Sequence, residues 1–577
     1  MTLLKALIDR KLPILGLTSL LLLLASPGLL SADDARPNII VIITDDMGFS
    51  DIGPYGGEIQ TPNLDKLAAG GLKFSQFYNC AKCEPSRAAL LTGHHWWSKN
   101  PNVAVRKDSP NVGEVLRAGG YRNMMVGKWH ADGQPFQRGF DRHFGFMSGG
   151  TDFFLGDESF TLDGQPWPVP KKKFYVTTAL TDHAVKFIRE ERTAHSDQPF
   201  FLYLAYNAPH APLQAPAEQV AKYRGKYLKG WDVIRRERFE KQKSLGLAGP
   251  GWQLTERPAT VPAWDSLSEQ ERDFQDLRMA TYAAMVDCVD QGVGRVMQTL
   301  EELQIRDNTL VLFLNDNGAS PNDRVRRGEF GRPGTTWNTG VAWANVSNTP
   351  FRFYKRTQHG GGVTTPFIAH WPAAIAPRQE FQDQPCHVTD LIPTFIELAG
   401  TRYPADFGGK EHPPLPGQSL APILKTHASL PPRTLHFSLF NNMAVIHGGW
   451  KAVTAYSQPW QLYDLTNDRT ETHDLAAKHP EKLQELLALR RTLNEQPDVA
   501  FRLQAGEREP EHAPIFKADG KQGPGAREDV ANEAFSLLLA KAHAQGRQLN
   551  EAELAELRRQ AATAKPPASK KKKAKSQ

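Results

Sequence analysis

At 577 residues, with 40% hydrophobic residues, 12 Trp and 29 Phe, the chain has ample material for the core of a large α/β enzyme built on one dominant sheet with an appendage. The net charge of +6 is located rather than spread: six lysines lie between Lys565 and Lys575, so the body is near neutral and gives no electrostatic footprint for a nucleic-acid partner. Four cysteines in so long a chain exclude a disulfide framework.

The N-terminus carries Lys5, Arg10 and Lys11, then an uncharged apolar stretch from Leu12 to Leu30, then Ser31-Ala32. That order predicts a secretory signal peptide over residues 1–32. A single membrane anchor is the rival, since the stretch nears the length of a bilayer span. Pro13, Gly16 and Pro27-Gly28 favour cleavage, which implies an exported protein, periplasmic or secreted, without stable membrane insertion.

Pro37 to Thr44 is a continuous β-branched run, the pattern of a strand buried on both faces, and it ends in Asp45-Asp46. Two adjacent carboxylates make a poor core and a natural hard-cation site, whereas a plain polar turn needs only one. In an open α/β sheet the C-terminal strand edge is also where sites collect. A helix opens at Thr61-Pro62 and ends at Gly70-Gly71.

Phe74 to Tyr78 leads into Asn79-Cys80-Ala81-Lys82-Cys83-Glu84-Pro85-Ser86-Arg87, followed by Leu91-Thr92-Gly93. Pro85 suits a first helical turn and Ala88 to Leu91 are good helix formers, so residue 83 is expected at a helix N-terminus. Unpaired N–H groups there favour an anion such as sulfate, and Arg87 adds a full charge one turn on. Cys80-x-x-Cys83 also fits a redox pair or half a zinc site; zinc would want a second Cys/His pair, and Cys288 and Cys386 stand alone.

Tyr121 to Val126 reads as a short strand delivering Gly127-Lys128-Trp129-His130, residues suited to anion binding and proton transfer. Thr177 to Thr193 has the spacing of an amphipathic surface helix. Phe200 to Tyr206 is a further buried strand, and His210 follows it; a lone histidine is more often structural than catalytic. Residues 223–275, rich in charge and aromatics, read as an insertion packed by Trp231 and Trp252, forming either part of a substrate mouth or a solvated outer layer. A long helix is expected from Met279 to Leu303.

Thr309 to Leu314 is another buried strand, ending in Asn315-Asp316-Asn317-Gly318. Such an ending is commonly a turn. Joined to Asp45-Asp46 it supplies oxygen donors from two strand ends, which suits Ca²⁺ better than zinc. Thr349 to Lys355 (T-P-F-R-F-Y-K) and His359-Gly360-Gly361-Gly362 precede a strand from Thr365 to Trp371 and a helix from Val388 to Leu398. From about Pro432 to Asn494, a hairpin-like strand set around His447 to Leu465 and a helix from His479 to Leu493 form a second unit. Asn550-Glu551-Ala552-Glu553 is a capping-box-like helix start, and Ser569 to Gln577 a lysine-rich end.

Cys83-x-Pro85-Ser86-Arg87 with Leu91-Thr92-Gly93 resembles the signature by which sulfatases mark a cysteine for oxidation to Cα-formylglycine, and the resemblance extends over about residues 37–495. It implies an alkaline-phosphatase-like α/β fold, a large mixed sheet sandwiched by helices, with a smaller C-terminal subdomain of antiparallel sheet plus helix. The expected division is a signal peptide (1–32), a catalytic domain (33–431), that subdomain (432–495) and a tail (496–577). The implied activity is hydrolysis of sulfate monoesters on small-molecule or carbohydrate substrates, after a formylglycine-generating maturation enzyme has acted on Cys83. Matching positions make Asp45, Asp46, Asp316 and Asn317, with residue 83, the Ca²⁺ ligands. Arg87 would orient the aldehyde hydrate, Lys128 and Lys355 bind sulfate, His210 protonate the leaving oxygen, and His130 take a proton during release. The chain departs from the family at Ala131-Asp132, where Leu-Gly is frequent, and at Phe353-Tyr354, where glycines are common. The latter suggests an aromatic wall near the leaving group. A phosphonate or phosphodiester hydrolase of the same superfamily and a non-catalytic glycan-binding relative are the rival readings.

Overall fold

In strand β1 (Asn38–Thr44) every residue is buried, because alternate side chains enter two different cores. Ile40 and Ile42 pack into one, while Ile39, Val41 and Ile43 pack into the other. Burying such side chains contributes roughly 1.5–3 kcal/mol each. This is why the run is apolar throughout rather than alternating.

The computed structural model describes residues 36–95, 109–131, 133–323, 327–407, 409–411, 414–439, 442–455 and 458–494, together with Glu553 and Glu556. The expected signal peptide, Asn550 of the expected helix start and the lysine-rich end lie outside the described residues. The described residues from Pro37 on form one unit. Among the described residues no helix is long and apolar enough to cross a membrane.

The main sheet comprises β1, β2 (Leu72–Tyr78), β3 (Arg122–Lys128), β4 (Arg142–Phe146), β5 (Phe160–Leu162), β6 (Gln165–Pro166), β7 (Phe200–Ala205), β8 (Thr309–Asn315), β9 (Thr364–His370), β10 (Phe381–Gln382) and β11 (Cys386–His387). Its order is β10-β2-β9-β8-β1-β7-β3-β4-β5-β6, with β11 also on β2. β8, β1, β7, β3 and β4 are mutually parallel. β9 runs against both β8 and β2, so β2 points the same way as β8. The C-terminal ends of β1, β2, β3, β7 and β8 therefore share one edge of the sheet, and β9 starts there. Helices Val176–Ala194 and Glu269–Glu302 cover one face, and Cys83–Thr92 and Leu391–Ala399 the other.

A second, antiparallel sheet takes Leu435–Leu439, Asn442–His447, Trp450–Thr454 and Gln461–Asp464 in sequence order. His447 pairs with Trp450 across Gly448-Gly449, whose φ values of 56° and 80° suit the tight turn that matches strand twist. One face packs Val445, Ala452 and Leu462 against Leu486 of helix Pro480–Asn494; the other packs Phe437 and Tyr463 against Tyr78, Ala81 and Val363 of the main body.

The insertion is not a solvated layer. Trp231 and Trp264 close an aromatic cluster with Trp343, at centroid distances of 4.7 to 6.1 Å. From helix Trp231–Ser244, Arg238 reaches inward with a 1% exposed side chain and pairs with Asp51 at 2.7 Å and Glu58 at 2.7 Å.

Candidate active site

Asp45 and Asp46 leave the end of β1 and Asp316 and Asn317 the end of β8, two strands paired in parallel register from Asn38↔Thr309 to Thr44↔Asn315. The register alone puts the two acidic endings side by side. Lys128 closes β3 and His210 follows β7 on the same edge. From β2 the chain turns into the helix Cys83–Thr92, where Cys83 is the first residue. Asn79 orients that turn: its Oδ1 accepts from the Ala81 N–H at 2.9 Å and its Nδ2 donates to the Asn315 carbonyl at 3.4 Å.

Charge is dense at this edge. Arg87 is fully buried; its Nε and Nη2 each lie 2.9 Å from Asp316 Oδ2, and Nη2 is 3.6 Å from Asp45 Oδ2. Its remaining nitrogen donates to the Lys128 carbonyl at 3.4 Å and the Tyr203 hydroxyl at 3.5 Å. Lys128 Nζ donates to Asp45 Oδ2 at 2.5 Å, and Lys355 Nζ to Asp46 Oδ1 at 2.5 Å. Asn317 Nδ2 also donates to Asp46 Oδ1, at 2.7 Å, and His210 Nε2 lies 3.5 Å from Asp46 Oδ2.

Asp45 Oδ1, Asp316 Oδ1 and Asn317 Oδ1 are buried acceptors without a hydrogen-bond partner. Buried polar oxygens are ordinarily satisfied, and three at one strand edge are costly unless something neutralises them. One ligand atom each from Asp45, Asp46 and His210 lies within 4.8 Å of the others. Asp316 and Asn317 join this group through Arg87 and Asp46. A donor set so dominated by oxygen fits a hard cation such as Ca²⁺.

The titrations agree with that fit. Burial pushes the Asp45 carboxyl up, but Lys128, His210, Arg87 and Lys355 outweigh it and hold the group well below the usual range. Asp316 goes the other way: burial and the nearby Asp45 charge raise it well above that range, against the pull of Arg87. Crowded carboxylates, one of them driven toward neutrality, are what a bound cation relieves.

The two cysteines of the turn differ. Burial raises the Cys83 thiol, but Lys128 and Lys355 more than offset this, and it ends below its ordinary value. Burial pushes Cys80 up to about 12, and its sulfur sits 3.9 Å from His387 Nε2. Both are free thiols. They do not share an environment as a redox pair does, and Cys83 alone faces the cations.

Burial, then Lys128 and Arg87, hold His130 neutral with its imidazole far below the ordinary range. Gly149 and Gly150, which no sequence motif marks, wall the two histidines. A Cβ at Gly149 would stand 3.0 Å from His130 Nε2, and one at Gly150 3.3 Å from His210 Cε1. Tyr203, on which Arg87 leans, carries no local signal either, being one more aromatic in a buried strand. The expected aromatic wall is absent in the form anticipated. Tyr354 is buried against Ala319 and Ala344, and the half-buried Phe353 ring lies tilted at 46° against His359, with centroids 4.5 Å apart.

The ten residues singled out in the sequence thus gather at one sheet edge. The family model described as Sulfatase matches residues 37–401, and that of N-sulphoglucosamine sulphohydrolase, C-terminal, matches 351–497. An uncharacterized sulfatase of Schizosaccharomyces pombe is 31% identical over 526 residues, covering 79% of this chain and 93% of that protein. An arylsulfatase of Klebsiella aerogenes is 34% identical over 437 residues, covering 68% and 93%. The crystal structure of Ps i-CgsB superposes with a TM-score of 0.60 at 27% identity, covering 81% of this chain and 95% of that one; the same protein has also been solved in complex with k-i-k-neocarrahexaose. On the match of its family model and on these relatives, the chain belongs to the sulfatase family, sulfuric ester hydrolases on an alkaline-phosphatase-like α/β fold.

Proposed function

We propose that the chain hydrolyses aryl or carbohydrate sulfate monoesters, with a formylglycine made from Cys83 as nucleophile and Ca²⁺ held by Asp45, Asp46, Asp316, Asn317 and residue 83. The observation that carries this reading is the placement of Cys83: first residue of a helix, 5% exposed, within the field of Lys128 and Lys355 and beside carboxylate oxygens that lack partners. A hydrated formylglycine supplies two hydroxyls on one carbon, one to attack sulfur and one whose deprotonation expels sulfate. Bound calcium supplies a Lewis acid that offsets the charge of the sulfate group.

The chain's own residues divide the remaining work. Arg87, clamped between Asp316 and the Lys128 carbonyl, fixes the first helical turn and with it residue 83. Lys128 and Lys355 present ammonium groups where oxygen charge develops. His210 Nδ1 donates to the Ala211 carbonyl at 2.6 Å, which leaves Nε2 as the nitrogen that carries a transferable proton in the imidazolium form. Asp46 Oδ2 lies 3.5 Å from that nitrogen, and His210 serves as general acid toward the leaving oxygen. His130 is assigned the proton taken up during release: it is neutral beforehand, although burial and Lys128, which keep it so, also weaken it as a base.

Mass spectrometry of the peptide containing residue 83 tests the proposal. Protein from a host with the maturation enzyme should show that peptide about 18 Da lighter than encoded, and reactive toward an alkoxyamine. Protein that carries only the thiol and still turns over sulfate esters at full rate overturns it.

A further inference from the structure

Lys355 sits in a loop that the small C-terminal sheet holds from several sides. Arg352 donates to the Tyr463 hydroxyl at 3.0 Å and to the Glu471 carbonyl at 3.0 Å. The Gly360 N–H meets both Glu471 carboxylate oxygens at 3.1 Å. Lys451 Nζ donates to Glu471 Oε1 at 2.5 Å, and the side chains of this pair are 1% and 2% exposed. His359 Nε2 is 3.0 Å from Gln461 Oε1, and Asn442 Nδ2 donates to the Arg356 carbonyl at 2.7 Å.

The loop needs such holding. Phe353 (φ 61°) and Arg356 (φ 79°) both take left-handed backbone, which β-carbon sterics oppose and which persists only where the surroundings over-determine it. Contacts inside the loop pass any shift onward. The Gly361 N–H donates to the Arg352 carbonyl at 2.8 Å, and a Cβ on Gly361 would stand 2.2 Å from the Phe353 oxygen. The Gly318 N–H, next to Asn317, donates to the Gly362 carbonyl at 3.0 Å. A displacement at Gly360 therefore reaches Lys355 on one side and the end of β8 on the other. A buried ion pair adds little net stability over an apolar pair of the same size, so stability alone does not account for Lys451 and Glu471.

We propose that Glu471, seated on Lys451 and flanked by Tyr463, is a positioning residue that sets the place of the Lys355 ammonium. The proposal rests on the reading of Lys355 as a sulfate-binding lysine, and the two are separable by experiment. Four forms of the full-length, formylglycine-bearing protein are compared: wild type, Lys355→Ala, Glu471→Met/Lys451→Met, and the triple variant. The methionine pair keeps the packing and removes the acceptor of the Gly360 N–H. Readouts are kcat/KM on an aryl sulfate, the inhibition constant of inorganic sulfate, and circular dichroism for folding. Lys355→Ala should lower kcat/KM by about 10²–10³-fold, as expected for one lost charge-stabilising donor. The methionine pair should lower it by about 10- to 100-fold with weakened sulfate inhibition, the scale of a misplacement near 1 Å. In the Lys355→Ala background the pair should cost less than about twofold more, because residues acting as a unit are non-additive.

A folded methionine pair with wild-type kcat/KM and sulfate inhibition overturns the inference, as does a loss that persists undiminished without Lys355. Wild-type activity in Lys355→Ala instead overturns the reading of Lys355 itself. Should the methionine pair not fold, Tyr463→Phe carries the same comparison, since it removes one of the two oxygens to which Arg352 donates and leaves only the Glu471 carbonyl.

Discussion

Withdrawing the calcium proposed for the strand ends is the perturbation that bears most directly on that assignment. Without a cation, three carboxylates (Asp45, Asp46, Asp316) meet three cationic side chains (Arg87, Lys128, Lys355) in contacts of 2.5 to 2.9 Å. Each carboxylate keeps a cationic partner, so chelated protein should remain folded while losing activity, because the cation's positive charge that helps receive a sulfate is gone. The stability at stake is the linkage free energy of the ion, about 2.7 kcal/mol at one hundred times its Kd and about 4.1 kcal/mol at a thousand times. Urea unfolding followed by near-UV circular dichroism, on chelated protein with calcium titrated back, should recover an increment of that size. Asp316→Asn keeps the shape of a donor whose Oδ1 has no other partner and removes its charge, and should reduce the increment to below about 1 kcal/mol. Superimposable unfolding curves with and without calcium, together with an unchanged rate, would refute the assignment of these oxygens to a metal.

Three further outcomes follow from particular contacts. His210→Ala should slow poor leaving groups by about 10²–10⁴-fold and an activated aryl sulfate far less, since a general acid matters in proportion to the leaving oxygen's need for a proton; equal losses on both, in steady-state kinetics, would make His210 a sulfate binder. His143, fully buried in β4, has its imidazole depressed by burial to about 3. Its folded value lies below the ordinary 6.5, so the unfolded chain takes up the proton first: the stability is intact above pH 6.5 and is lost as pH falls toward 3. Between pH 6.5 and 5 this amounts to about 2 kcal/mol, so His143→Gln should lose about that much less than wild type in urea unfolding at the two pH values. Arg238→Ala strands Asp51 and Glu58 beneath the insertion and should cost about 3–5 kcal/mol by the same assay, whereas a change under 1 kcal/mol would mean the brace is dispensable.

What could be read from the chain alone was local. The strands at 38–44, 200–205, 309–315 and 364–370 announce themselves because burial on both faces demands apolar runs, and the polar endings of the first three announce the site. The start of the helix at Cys83 was legible from Pro85 and the alanines after it. Partnerships across the sheet were not. Nothing near Arg87 points to Asp316, because the pairing exists only through the register of β1 on β8 and the return of β2 to the same edge. Arg238 lies in a stretch crowded with exposed charge, and no local pattern separates Arg235 and Arg238, which turn inward, from Arg236, which does not. Tyr354 misled for a related reason: an aromatic beside a functional lysine suggests a wall, while the left-handed turn at Phe353 sends it into the core.

The separations within this site have a consequence for how the protein is made. Lys128 meets Asp45 across 83 residues, Arg87 meets Asp316 across 229, and Lys355 meets Asp46 across 309. A growing polypeptide that has emerged only as far as β7 therefore has Cys83 and Arg87 in hand but neither Asp316 nor Lys355 to enclose them. In that interval the thiol is open to an outside catalyst. Once β8 and the loop before β9 have joined the sheet, residue 83 is 5% exposed. For the conversion of Cys83 proposed above, the order of synthesis leaves a limited period, and slowing translation between codons 210 and 316 should raise the converted fraction, while faster closure should lower it.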